Sequence, residues 1–338
     1  MRDDMILLGH GSGGQMTHDL VNKVILPLIH EGREAPEQED STPLTLPTGE
    51  IRFTTDSYVV DPIIFPGGDI GDLAVNGTIN DLAMGGAVPF ALSLGFILEE
   101  GLLMDDFTKV LRSIGRAARE AGIQVACGDT KVVPRGRGDK IFINTSGVGL
   151  ARNGLRPGSA AVRPGDRLII NGTVGDHGVT IMSMREGLKF ESPVKSDTAA
   201  LHTLVDALVK AGVEIRAMRD PTRGGLATVA VEIAEASGVH IRLDETAIPV
   251  NKHVAAACEI LGLDPLMVAN EGKMVLVTPE RDAKKALDVM RSHPLGRDAA
   301  MIGEALETDG RAKVTLTSYA GGARMVNKLP GELLPRIC

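Results

Sequence analysis

The chain has 338 residues, 43% hydrophobic and 24% charged, enough to bury ordinary cores, and its length predicts two domains of roughly 150 residues each. A net charge of −8 argues against a general nucleic-acid binder, although backbone N–H groups and metal ions can still meet a polyphosphate locally. Aromatic residues are only 3% with no Trp, so the cores must be built from Val, Ile, Leu, Ala and Met.

The amino-terminal stretch gives a short apolar run, Met5 to Leu8, and then Gly9-His-Gly-Ser-Gly-Gly14. That run is too short for a signal peptide. Thr17 to Ile29 carries Leu20, Val24 and Leu28 at helical spacing and is predicted as an amphipathic helix. Residues 30–50 are acidic and contain proline, which predicts a loop with room for a short strand. Ile51 to Val60 is β-branched and aromatic, a strand interrupted by Asp56. A helix of small residues is expected over Gly71 to Met84, a buried strand over Ala91 to Leu98 and a charged helix over Asp105 to Ala121. Two strands, Val125 to Val133 and Lys140 to Leu150, should flank an exposed loop, Pro134 to Asp139.

Pro157, Gly158, Pro164 and Gly165 punctuate a boundary between Arg156 and Gly165. Beyond it, strands are predicted at Arg167–Asn171, Lys273–Thr278, Ala299–Ala305 and Lys313–Leu316. Helices are predicted near Val179–Glu186, Ala199–Ala211, Gly224–Ser237 and Arg281–Ser292. Strands and helices alternate in both halves, so each is α/β or α+β. The expected layout is an amino-terminal domain over 1–157, a second domain over 158–325 and a mobile tail over 326–338, rich in proline near its end. No apolar run reaches the roughly 18 residues of a membrane span. Three cysteines, Cys127, Cys258 and Cys338, cannot pair completely and lack CxxC spacing, which predicts reduced thiols and a cytoplasmic location.

Several segments carry chemistry. Gly9, Gly11 and Gly14 match G-x-G-x-x-G. No clean second strand with an acidic end follows, and no Gly-Lys-Ser/Thr ending is present, so neither a dinucleotide fingerprint nor a P-loop fits. Exposed N–H groups of Gly11, Ser12, Gly13 and Gly14 before a helix remain able to cradle an anion, with a plain glycine turn as the alternative. Asp40, Asp56, Asp81 and Asp220 stand in contexts suited to Mg²⁺, a hard cation that takes oxygen ligands, with a cap or turn residue as the alternative for each. Asp56 is the most telling, because a carboxylate inside a strand opposes β propensity. Asp220 in Asp220-Pro-Thr-Arg-Gly-Gly225 also reads as a helix start. In Cys127-Gly-Asp-Thr-Lys131, Thr130 and Lys131 are candidates for phosphate contact and Asp129 for a metal or ribose, with a plain inter-strand loop as the alternative. Glu271 in Asn270-Glu-Gly-Lys273 is a general base or a turn residue. A terminal Cys338 excludes a prenylation box, and twelve preceding residues could carry its thiol roughly 40 Å when extended.

Taken together, these stretches resemble the hydrogenase maturation factors of the HypE family over essentially the whole chain. The resemblance rests on the glycine loop, Thr54-Thr-Asp-Ser-Tyr58, Gly68 to Gly77, Asn80 to Gly86, Gly128-Asp-Thr-Lys131, Asp220 to Gly225, Asn270-Glu-Gly272 and the final Pro335-Arg-Ile-Cys338. The first several are similar to the wider superfamily of aminoimidazole ribonucleotide synthetase, selenophosphate synthetase and thiamine-monophosphate kinase, and the Pro-Arg-Ile-Cys ending singles out the HypE family. The resemblance implies an α+β domain that forms a homodimer through its sheet, with ATP near that interface and an α/β domain covering it. It implies ATP-dependent dehydration of an S-carbamoyl group on Cys338 to a thiocyanate. The carbamoyl group would come from the carbamoyltransferase HypF, and the cyano group would pass to iron on a HypC–HypD complex. It further implies Mg²⁺ on Asp40, Asp56, Asp81 and Asp220, phosphates on Lys131 and the glycines, and Glu271 as the base, with His10 as the other candidate. Two competing readings make distinct predictions. A synthetase or kinase acting on a free small molecule would survive loss of Cys338, and a non-enzymatic scaffold would turn over no ATP.

Overall fold

The computed structural model describes residues 4–31, 33–35, 41–45, 48–187, 194–328 and 336–338. Contacts divide the chain into two units. The first holds residues 1–82, 87–151 and 336–338, and the second holds residues 83–86 and 152–335. The chain thus changes unit after Ala151, ahead of the Pro/Gly-rich boundary expected from the sequence.

The first unit is built on a four-stranded sheet. Its strands are β1 (Ile51–Tyr58), β4 (Ala87–Glu99), β5 (Gln124–Val133) and β6 (Ile141–Ala151), in the order β1-β6-β4-β5. A two-residue ribbon, β2 (Ile64–Phe65) and β3 (Gly68–Asp69), leads into α3 (Ile70–Met84). α4 (Met104–Ala121) buries Phe107, Val110, Leu111, Ile114 and Ala118 along one face, at the spacing of an amphipathic helix. Gly122 ends it in the left-handed conformation, φ 70°, where a side chain would be strained. Phe107 meets Phe96 of β4 edge to face with ring centroids 5.8 Å apart.

The predicted helix near residue 20 is present but not uniform. It runs as α1 (Gln15–Leu20), a π turn (Val21–Ile25) and α2 (Leu26–His30). Pro27 has no N–H to continue an α-helical ladder, and its ring would crowd the carbonyl four residues back. The wider turn, closed by the Leu26 N–H on the Val21 carbonyl, shifts the register ahead of that proline.

The second unit carries seven strands in the order β13-β12-β9-β11-β7-β10-β8. They are β7 (Asp166–Ile170), β8 (Ala217–Arg219), β9 (His240–Asp244), β10 (Val275–Pro279), β11 (Ala300–Leu306), β12 (Lys313–Thr317) and β13 (Ala323–Val326). Between them lie α5 (Asp176–Arg185), α6 (His202–Lys210), α7 (Gly225–Ser237), α8 (Lys252–Leu261) and α9 (Glu280–Ser292). Alternate residues of the central strands face opposite cores. Leu168, Ile170, Val275 and Val277 pack with Leu226, Ala230 and Ile233 of α7. Ile169 and Leu276 pack with Leu204 and Leu208 of α6 and Ala286 and Met290 of α9. A sheet covered on both faces explains why β7 and β10 read as continuous apolar runs. β8, β9, α8 and β13 were not predicted. The expected tail from residue 326 begins inside the sheet, since β13 pairs Val326 with Val314.

Candidate active site

In the first unit the nucleotide-type residues gather at the β5 edge of the sheet. The sequence reading allowed Gly128-Asp-Thr-Lys131 to be a loop, but these residues lie within β5 and pair with β4, Asp129 opposite Gly95 and Lys131 opposite Ile97. Asp129 and Lys131 sit two apart on one strand, so their side chains share a face. The Lys131 ammonium donates to both Asp129 oxygens at 2.8 Å. That bond and the Thr130 N–H on Asp129 hold the Asp129 carboxyl below its ordinary value, against a smaller opposing effect of burial. Both side chains are well exposed, so a charged ligand can compete for either.

The glycine loop lies beside them. Residues Leu8–Gly11 form a short 3-10 helix, and a Cβ on Gly11 would stand 2.5 Å from the Val132 backbone nitrogen. Gly13 has φ 80°. Glycine is therefore required at Gly11 by close approach to β5 and at Gly13 by backbone conformation. Ser12, Gly13 and Gly14 are exposed. The Gly13 N–H donates to Thr17 Oγ1 at 2.9 Å and the Ser12 hydroxyl to the Gly9 carbonyl at 2.9 Å, which fixes the loop from within. His10 is half-buried, and its Nδ1 accepts the Leu7 N–H at 2.9 Å, leaving Nε2 as the ring nitrogen for any further role.

Among the expected metal residues, Asp56 and Asp81 both belong to this unit. β1 runs antiparallel to β6 with Asp56 opposite Thr145, and its even-numbered residues face α3. Thr54 Oγ1 donates to Asp81 Oδ2 at 2.7 Å, and the hydroxyls of Thr78 on α3 and Thr145 on β6 meet at 2.6 Å. Asp56 is the next residue of that face along β1. Its side chain is half-buried, with Oδ1 accepting the Ser57 N–H at 2.8 Å. Asp40 lies outside the described residues. Among those described, no three His, Cys, Asp or Glu side chains converge closely enough to hold a metal by themselves. A cation here therefore needs ligand oxygens besides these carboxylates, which is how Mg²⁺ is held with phosphates.

The carboxyl terminus is the largest departure from expectation. The tail was predicted to be mobile, but its last three residues dock on the first unit. The Val59 N–H donates to the Cys338 carbonyl at 3.1 Å, and the Asp61 N–H donates to the Arg336 carbonyl at 3.3 Å. These bonds extend the pairing of the chain just past β1, three residues beyond Asp56. Ile337 is buried to 4% exposure, and the Arg336 guanidinium meets Asp139 at 2.8 Å. Arg336 itself has φ 55°, a left-handed kink that turns Ile337 inward. The Cys338 side chain is half-buried.

In the second unit, Glu271 lies in a turn that is fixed from several sides. Asn270 Oδ1 accepts the Gly175 N–H at 2.7 Å, and its Nδ2 donates to the carbonyls of Pro221 at 2.8 Å and Val268 at 3.0 Å. Asn171 Nδ2 donates to the Gly272 carbonyl at 3.2 Å, and its Oδ1 accepts the Met274 N–H at 2.7 Å. Buried amides satisfied at both ends define a geometry rather than merely tolerate it. Glu271 is 4% exposed. Asp220, half-buried, lies just ahead of Pro221 and does not itself begin a helix: Gly224, at φ 74°, is the N-cap of α7 and Gly225, at φ 60°, its first residue. A Cβ on Gly225 would stand 2.5 Å from the Leu266 carbonyl. Sequence reasoning missed Asp197, which contacts the Glu271 turn directly. No motif marks it, since its role depends on a segment more than 70 residues away in sequence.

Comparison with known proteins follows this geometry. Residues 38–151 match the AIR synthase related protein, N-terminal domain, and residues 163–315 match the AIR synthase related protein, C-terminal domain. The chain is 49% identical over 338 residues to the carbamoyl dehydratase HypE of Azotobacter vinelandii, covering 100% of this chain and 98% of that one. A crystal structure of the hydrogenase maturation protein HypE in complex with ATP superposes with a TM-score of 0.92 at 47% identity, over 98% of this chain and 99% of that one. The corresponding chain of a HypE–HypF complex superposes with a TM-score of 0.79 at 47% identity, over 82% of this chain and 90% of that one.

Proposed function

The chain belongs to the HypE carbamoyl dehydratase family, and we propose that it uses ATP and Mg²⁺ to dehydrate an S-carbamoyl group carried on its own Cys338. The product is a thiocyanate, which supplies the cyanide ligand of the hydrogenase iron. The observation that carries this reading is the docking of Arg336, Ile337 and Cys338 beside the strand that holds Asp56.

The residues fit the groups this chemistry needs. Gly11 and Gly13 open the loop at β5 as a phosphate site requires, and the exposed Lys131 supplies the cation. Asp56 and Asp81 supply hard oxygens for Mg²⁺, with Asp40 and Asp220 completing our assignment. Asp129 and Thr130 assist nucleotide binding. Bound Mg-ATP supplies the phosphoryl group with which the amide oxygen departs, since that oxygen is otherwise a poor leaving group. The protein must then hold the carbamoyl group in line and accept both amide protons. Glu271 takes the second of these roles as base, its carboxyl group held in a buried turn; His10, through Nε2, is the alternative. Lys131 stabilises charge on the transferred oxygens. The thiol sulfur of Cys338 keeps its bond to carbon throughout and acts as carrier.

HypF serves as the carbamoyl donor, in keeping with the HypE–HypF complex of a relative. A HypC–HypD complex is the acceptor of the cyano group. Homodimerisation through the four-stranded sheet is supported by its face turned away from α3. That face exposes Ile51, Phe53, Val88 and Ile97, with Phe53 at 68% exposure. No described helix is long and apolar enough to cross a membrane, and the reaction suits the reducing cytoplasm, where Cys338 stays a thiol.

Intact-protein mass spectrometry of the carbamoylated chain tests the reading. Loss of one water on adding Mg-ATP, mapped to the carboxyl-terminal peptide and absent in Cys338→Ala, is the expected result. ATP consumption with the carbamoyl group intact would instead favour a synthetase acting on a free substrate.

A further inference from the structure

Asp197 is a buried carboxylate outside every motif of the sequence, and among the described residues its side-chain hydrogen bonds converge on the Glu271 turn. Its Oδ1 accepts the Glu271 N–H at 3.1 Å. Its Oδ2 accepts the Gly272 N–H at 3.3 Å and the Lys273 ammonium at 2.9 Å. The approach is so close that a Cβ on Gly272 would stand 1.8 Å from the Asp197 carbonyl oxygen. The segment that carries Asp197 is itself fixed: Ser196 Oγ accepts the Thr198 N–H at 3.2 Å and meets Nδ1 of the fully buried His177 at 2.8 Å.

We propose that Asp197 is a positioning residue that sets the orientation of the Glu271 carboxylate for proton abstraction. The inference rests on the reading of Glu271 as the base. A side chain can be aimed only as well as the backbone that bears it, and Asp197 grips the amides on both sides of the Glu271 Cα. Asn270 and Asn171 hold the flanking residues, and Asp197 restrains the backbone at Glu271 itself. Stability alone does not account for the arrangement. A buried ion pair gains little over well-packed apolar side chains, because two charges must lose their water. Here the Asp197 and Lys273 side chains are only 5% and 11% exposed, yet the pair lies on the turn of the base and not in either apolar core. Lys273 cancels the charge that Asp197 would otherwise leave buried. Burial would raise the Asp197 carboxyl, but Lys273 and His177 outweigh it and keep the group ionised as a pure acceptor.

The test uses the full-length S-carbamoylated protein and follows water loss by mass spectrometry in single turnover over a range of Mg-ATP concentrations. Asp197→Asn keeps one acceptor oxygen but turns an NH₂ group toward Gly272 and Lys273. We expect its maximal rate to fall by a factor of about 100, the scale of an angstrom-level misplacement, with half-saturating ATP unchanged. The Asp197→Asn, Lys273→Met double variant, which leaves no unpaired charge, should show the same loss and carries the test if the single variant does not fold. Combining Asp197→Asn with Glu271→Gln should lower the residual rate no further than Glu271→Gln alone. A wild-type maximal rate in either Asp197 variant, a matching rise in half-saturating ATP, or a further multiplicative loss in the Glu271→Gln background overturns the positioning role. A wild-type rate in Glu271→Gln overturns the base assignment instead, and so separates the two failures.

Discussion

Replacing Ile337 by alanine probes the docking of the carboxyl terminus without touching the thiol. Ile337 is 4% exposed, and the substitution removes three carbons from a buried site. At about 0.8 kcal/mol per buried methylene the loss is roughly 2.4 kcal/mol, reduced to about 2 kcal/mol because a released tail keeps part of its apolar surface covered. Each 1.4 kcal/mol is a factor of ten, so the docking equilibrium should weaken roughly 30-fold. Amide hydrogen exchange reads this directly. The Val59 and Asp61 N–H groups donate to the Cys338 and Arg336 carbonyls, so their protection scales with the docked population. We expect protection at Val59 and Asp61 to drop roughly 30-fold in Ile337→Ala. The amides of β1 that pair with β6 should keep theirs. Unchanged protection at Val59 and Asp61 would refute the docking argument, and an equal loss along β1 would show that the tail is not an independent element. Arg336→Ala should have a smaller effect that vanishes at high salt, because its ion pair with Asp139 is reached by solvent.

Gly11→Ala drives a Cβ against the Val132 backbone and should weaken ATP binding at least about tenfold by calorimetry, while costing roughly 1–3 kcal/mol in urea unfolding. Gly272→Ala cannot be accommodated beside Asp197 and should lower stability by more than about 3 kcal/mol; a melting temperature near wild type would contradict it. Asp69 predicts a pH effect. Burial, and then the neighbouring Asp72, push its carboxyl up from 3.8 to about 6, so between roughly pH 4 and 6 the folded state binds more protons than the unfolded one. Stability from this group is therefore fully present below pH 4 and falls as pH rises through 6, by about 3 kcal/mol in all. Asp69→Asn keeps an oxygen to cap the Gly71 and Asp72 N–H groups at the start of α3. It should remove that slope from urea unfolding measured across the range; an identical slope in both proteins would refute the assignment. Lys131→Ala should let the Asp129 carboxyl rise toward its ordinary value, read by NMR titration, because the Lys131 bond is the main cause of its depression.

Local pattern made much of this protein legible before its fold was known. The apolar spacing of α4, the continuous runs of β7 and β10 and the glycines flanking the helices are consequences of short-range periodicity and backbone sterics. Gly11 and Gly13 could be recognised as necessary, but the reason for Gly11, the backbone of Val132, is a contact more than 100 residues away. Asp56 betrayed itself by sitting where a strand does not favour a carboxylate, yet the bond from Thr54, two residues before it on the same face of β1, to Asp81 arises only because β1 and α3 pack together. The short strands β8 and β13 carry too few residues for a period, and β9, as long as β7 and β10, lacks their apolar run; sheet neighbours select all three. The last three residues read as an unstructured tail because proline and glycine precede them. Their docking depends on the Val59 and Asp61 N–H groups meeting the Cys338 and Arg336 carbonyls and on the burial of Ile337, none of which the local sequence encodes. Asp197 is the extreme case: an aspartate among ordinary neighbours becomes the anchor of Glu271 only when the chain brings residue 197 against residue 271. Composition and spacing determine which elements form, while tertiary packing decides which polar groups meet, because a hydrogen bond requires an approach of about 3 Å that sequence distance does not measure.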